Sequence, residues 1–146
     1  MSFQTPRTIV TLGALALAAA GTMSSLPSQA APAPRAAAQR LEATLRPSGD
    51  PDGSGEGHFR LNKTRGRVCA TVTWQHIADP DSAHIHRASD GGIVIDLSGA
   101  VTGGAHCATG VPERTIARIL RHPGRFYFNV HNATYPAGAI QGRLRR

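Results

Sequence analysis

The run Ala83-His84-Ile85-His86 is the first place where this chain could do chemistry. In an extended strand residues i and i+2 share a face, with their backbones about 6.5–7 Å apart, so two imidazoles spaced this way can converge on one ion. A third histidine closes the run Tyr127-Phe128-Asn129-Val130-His131, which also has the composition of a strand. Three imidazoles without a thiolate suit zinc or copper(II), with bonds of about 2.0–2.1 Å. His84, His86 and His131 are therefore the candidate metal ligands, with His106 or His76 as a candidate fourth. The alternative is a cluster of hydrogen bonds, in which the same rings join two strands through Asn129, Tyr127 or backbone carbonyls and hold no ion. Residue types leave both readings open.

Other chemistry has weaker support. Ser82, Ser89 and Ser98 lie near histidines in sequence, but none sits in a GxSxG-type nucleophile turn. Asp79, Asp81, Asp90 and Asp96 fall mostly in turns, where aspartate is expected anyway. Asp50, Asp52 and Ser54 imitate the opening of a calcium loop, but its twelfth position is Leu61 where a bidentate glutamate is needed. Asn62-Lys63-Thr64 and Asn132-Ala133-Thr134 have the form of N-glycosylation acceptors. The expectation is a binding module without catalysis.

The elements that must position the histidines are short strands. Arg40–Arg46, Gly57–Leu61, Arg67–His76, His84–Arg87, Ile93–Leu97, Arg125–His131 and Ala139–Leu144 read as strands between Gly-, Asp- and Pro-rich turns. Within Arg67–His76, Val68, Ala70, Val72 and Trp74 alternate onto one face, which predicts a half-buried strand anchored by Trp74. One helix is expected, opened by Pro112 and Glu113, with Ile116, Ile119 and Leu120 as its apolar stripe and His122-Pro123-Gly124 as its end. Residues 98–111 are Gly- and Thr-rich and take no assignment. Seven or eight strands predict an all-β, immunoglobulin-like sandwich or barrel with one short helical connection.

The N-terminus reads as an export signal. Arg7 precedes an apolar run from Ile9 to Ala20, and Ser28-Gln29-Ala30 has the small-x-small form of a cleavage site. Residues 1–30 are expected to be a signal peptide, 31–39 a disordered Pro/Ala-rich leader, and 40–146 the folded domain, secreted with no membrane anchor after cleavage. Cys69 and Cys107 are the only cysteines, and in an oxidising compartment they predict one disulfide across a loop of about forty residues. The net charge of +7 admits an anionic partner. The arginines are scattered and not interleaved with aromatics, so no nucleic-acid partner is expected, and an extracellular protein or polymer remains.

The blocks Ala83-His84-Ile85-His86-Arg87, Gly91-Gly92-Ile93-Val94-Ile95-Asp96-Leu97, Phe126–His131 and Tyr135-Pro136-Ala137-Gly138-Ala139-Ile140-Gln141-Gly142, in this order, resemble the CHRD domain, named after chordin. The resemblance spans about residues 40–144 and implies an immunoglobulin-like fold and an extracellular setting, without supplying a biochemical role. Two departures stand out: Ala88-Ser89 intervene before Gly91, and Gln141 stands where the family tends to have arginine. The pairing of His-x-His with a β-sandwich is also similar to copper-zinc superoxide dismutases in architecture, but that family's bridging histidine, zinc-site aspartate and active-site arginine find no counterparts here.

Overall fold

The computed structural model describes residues 37–146. The proposed signal peptide and residues 31–36 of the leader lie outside the described residues. Gln39, assigned to the leader, is already the first residue of a strand.

Eight strands follow in chain order: β1 (Gln39–Pro47), β2 (Ser54–Asn62), β3 (Arg67–Gln75), β4 (Ser82–Arg87), β5 (Ile93–Asp96), β6 (His106–Ala108), β7 (Phe126–His131) and β8 (Ile140–Arg143). Two short helices, α1 (Gly99–Thr102) and α2 (Glu113–Arg121), lie on either side of β6 in the chain. The strands form one sheet in the order β5-β4-β7-β8-β1-β2-β3-β6. Every pairing is antiparallel. The sheet turns its corner within β1, which pairs with β2 over Gln39–Leu45 and with β8 at Arg46 and Pro47. It thereby curls into a nearly closed, barrel-like form. α1 touches β4 on one side and β3 and β6 on the other, so it lies at the seam between the two ends of the sheet. The all-β class is as expected. The pairing does not establish an immunoglobulin-like sandwich, and α1 is a second helix where one was predicted.

The interior follows from strand alternation. Leu41, Ala43 and Leu45 of β1, Phe59 and Leu61 of β2, and Val68, Ala70 and Val72 of β3 point inward, as do Ala83, Ile85, Phe126, Phe128 and Val130 from β4 and β7. Leu61, the residue that spoils the calcium-loop pattern, is a core residue at 1% exposure. Ile116, Ile119 and Leu120 recur at the i, i+3, i+4 spacing that gives a helix one apolar face, and all three are buried in the same core. Trp74 is only partly buried, packed against the core from near the end of β3, so it is less of an anchor than the alternation suggested. No helix among the described residues is long and apolar enough to cross a membrane.

Cys69 of β3 and Cys107 of β6 are direct cross-strand neighbours and form the expected disulfide. β6 has three residues and pairs only with β3, so the bond secures the weakest edge of the sheet. The two cysteines are 38 positions apart, and on the chain-entropy model such a crosslink stabilises by about 3–4 kcal/mol. A Cys69→Ser/Cys107→Ser variant should lose about that much in urea titration. Hydrogen exchange should show β6 losing protection before the rest of the barrel.

Candidate metal centre

β4 and β7 lie side by side, with Ser82 opposite His131, His84 opposite Asn129 and His86 opposite Tyr127. Ala83, Ile85, Phe128 and Val130 take the inward positions, so alternation turns these three cross-strand pairs to the outer face of the barrel. An outer face is ordinarily wet, yet His86 and His131 are 6% and 8% exposed. The turn after β4 and the loop between β7 and β8 supply the contacts that explain this. His86 Nδ1 donates to the carbonyl of Gly91 at 2.8 Å, and His131 Nδ1 donates to the carbonyl of Pro136 at 3.0 Å. Both acceptors are carbonyls, so each ring must carry its proton on Nδ1, which in the neutral form leaves a bare lone pair on Nε2.

The three rings converge. His131 Nε2 lies 3.2 Å from His84 Nδ1, and one nitrogen from each of His84, His86 and His131 falls within 4.8 Å of the other two. Two nitrogens bound tetrahedrally to one zinc sit about 3.3 Å apart, so the His84–His131 separation of 3.2 Å already matches, and the His86 nitrogen, within 4.8 Å, would have to draw closer on binding. His86 Nε2 is buried and, among the described residues, has no hydrogen-bond partner. A buried polar atom left this way is costly and rare in a folded protein. The other nitrogen of His84, Nε2, faces Asp96 of β5 at 3.9 Å, on the strand partner directly opposite. A carboxylate behind a histidine in this manner orients the ring and favours the tautomer with its free lone pair on Nδ1.

The surroundings of His84 and His131 disfavour their charged forms. Burial is the largest cause holding the His84 pKa below its ordinary value; His131 lowers it further, Asp96 opposes, and His86 adds a smaller decrease. Burial likewise lowers His131, against the hydrogen bond to Pro136, with His86 lowering it and Asp81 raising it. Neutral imidazole is the form that ligates. Asp81 and Asp96 provide negative charge beside a site that would gain two positive charges with an ion. His84 is the least buried of the three, so any remaining coordination position lies toward solvent on its side.

The supporting residues do less direct work than the sequence suggested. Tyr127 stacks its ring on His86, with centroids 5.0 Å apart and planes 10° apart. The Asn129 amide donates to the carbonyl of Ala137 and so ties down the loop that carries Pro136. That loop passes close enough for Gly138, at φ +126°, to be required: a Cβ there would overlap the Asn129 amide. Gly91, at φ +68°, makes the turn that presents its carbonyl to His86.

His106 stands on β6 against Gly99, exposed and outside the group of three, and His76 is exposed just beyond β3. Sequence reading missed the two backbone acceptors, Gly91 and Pro136, because carbonyls carry no residue signature. Asp96 could have been found, since the turn after β4 returns the chain as a paired strand. Ser82 and Ser98 donate their hydroxyls to Asp81 and Asp96 and make no bond to an imidazole. Asn132 is 1% exposed and donates to Ala78, which closes it to a glycan.

The CHRD domain family model matches residues 36–144, and the chain belongs to that family. No curated protein and no solved structure matches it.

Proposed function

We propose that this protein is an extracytoplasmic CHRD-domain binding module that takes one zinc or copper(II) ion on His84, His86 and His131, and that it acts by binding and not by catalysis. The observation that carries this is a cluster in which one nitrogen from each of His84, His86 and His131 lies within 4.8 Å of the others, together with a buried His86 Nε2 that has no hydrogen-bond partner among the described residues. A hydrogen-bond cluster alone has no use for that lone pair. Copper(II) should bind the tighter of the two, as nitrogen donors generally favour it. The disulfide and the apolar N-terminal run support an export route into an oxidising compartment.

A second reading has its own support. The His84–His131 contact and the two carbonyl bonds engage four of the six ring nitrogens without an ion. In that case the rings fasten β4 and two loops together, and the module works through an extracellular protein or polymer elsewhere on its surface. Elemental analysis of protein purified without affinity tag or chelator separates the two. About one equivalent of zinc or copper, absent from a folded His84→Ala/His86→Ala variant, supports the metal module. No retained metal after loading and desalting leaves the cluster as a fastening.

A further inference from the structure

Arginines that are far apart in sequence meet on the outer face next to the histidines. Antiparallel pairing of β1 with β8 sets Arg46 opposite Gln141, and a bridge sets Glu42 opposite Arg145. Pairing of β8 with β7 sets Arg143 opposite Tyr127. Between these strands runs a groove of about 830 Å³ walled by Arg46, Arg143 and Arg145, with Thr44, Gln141 and Tyr127 among its lining. A second groove of about 450 Å³ shares Ala88 and Arg143 with the first and adds Arg87, Arg118 and Arg125. No aspartate or glutamate lines either groove.

Half of these six guanidinium groups are already committed. Arg145 bonds Thr44 and pairs with Glu42, Arg143 donates to the carbonyl of Gly124, and Arg87 pairs with Asp90. The guanidinium groups of Arg46, Arg118 and Arg125 have no hydrogen bond or ion pair with any described residue. Exposed like charges repel, so a continuous track of this kind weakens the isolated domain unless something anionic lies along it.

We propose that this double groove is a binding site for an acidic polysaccharide bearing carboxylate or sulfate groups. Guanidinium forks match such groups two bonds at a time. One small anion would need a single fork. Six arginines over two contiguous grooves suit a chain with repeated charges, and the Thr44 hydroxyl and Gln141 amide suit its hydroxyls. Nucleic acid is served less well, because single strands bind by stacking bases on exposed rings. One face of Tyr127 is covered by His86, and Phe126, the other ring here, is buried. This site stands apart from the metal reading and is tested with chelator present.

The test measures binding of the full-length protein to heparin, alginate and neutral dextran by isothermal titration at about 0.15 M salt, with single- and double-stranded DNA alongside. Arg46→Gln/Arg125→Gln removes two side chains that hold nothing else in the domain, so the fold should survive, as circular dichroism can check. Arg60→Gln/Arg65→Gln, which alters a different basic groove along β2 and β3, makes the same change in net charge. The expected result is binding to heparin or alginate but not dextran, weakened about tenfold by the first pair and less than twofold by the second. Affinity should fall with salt, with a log–log slope of roughly −2 to −3 by analogy with phosphate contacts. Equal loss in both variants would reduce the effect to net charge and overturn the proposal. So would the absence of binding to either acidic polymer, or tighter binding to DNA.

Discussion

On the proposed metal reading, zinc or copper(II) at saturation is expected to raise the melting temperature of the wild-type domain by about 10–20 °C and to leave His86→Ala where it was. An ion present at about a hundredfold its dissociation constant stabilises the folded state by about 2.7 kcal/mol. In a domain of roughly a hundred residues each kcal/mol shifts the midpoint by about 4–8 °C. His86 is the decisive substitution because its Nε2 is left without a partner, whereas His84, by moving its proton to Nδ1, can donate to His131 Nε2 when no ion is bound. Without metal, His86→Ala loses its bond to Gly91 and its stack on Tyr127, so its starting midpoint should be lower. The informative quantity is the shift on adding the ion, read by differential scanning fluorimetry. An equal shift in wild type and variant would place the ion on other histidines and reject the trihistidine site.

Phe128→Ala is expected to destabilise the domain by about 3–5 kcal/mol, the usual range for deleting a buried aromatic ring. Phe128 is fully buried at the middle of β7 and meets Phe59 of β2 edge-to-face, with centroids 5.0 Å apart. These rings come from opposite halves of the sheet, so the pair holds the barrel shut across its interior. Total stability in domains of this size is about 5–15 kcal/mol, and a loss of that order can leave a large unfolded fraction. Urea titration should show a lower midpoint with an unchanged slope. A cost under about 2 kcal/mol would mean that the walls collapse into the void. Phe128 neighbours Asn129 in the chain, so the same strand carries packing on one face and the candidate chemistry on the other.

The sequence was most legible where local pattern and final environment agree. Val68, Ala70 and Val72 alternate and are buried; Ile116, Ile119 and Leu120 keep helical spacing and are buried. His84 and His86 share a face as their spacing requires, and His131 reaches them because β4 and β7 pair in a register that puts it one step along the diagonal. What stayed hidden depends on distant parts of the chain. β6 is three residues in a Gly- and Thr-rich stretch and exists through its pairing with β3. α1 is a single turn, too short to declare itself by periodicity. Trp74 fits the inward pattern, but it sits near the end of β3 and stays partly exposed. The choice between sandwich and barrel rests on where β1 changes partners, which no local pattern encodes. The burial of His86 and His131 on an outer face depends on loops whose contribution is backbone carbonyls. The arginine track is the same case: nothing near Arg46 in sequence announces Arg143.

The pairing of β1 with β8 also sets the order of assembly. The loop that carries Pro136 is held from the other end of the domain: the amides of Ser48, Gly49 and Asp50 all bond the carbonyl of Ala139, and the Ser48 hydroxyl bonds that of Gly138. Contacts between segments some ninety residues apart make for slow folding, because a long loop must close before they contribute. A chain emerging from its N-terminus can form the β1–β2–β3 meander early, but β1 must wait with one flank unpaired for the last strand to appear. Until then the histidine face lacks its cover and the arginine groove lacks one wall. Both surfaces are therefore products of the final closure, and a nascent or partly unfolded chain would present neither to a ligand.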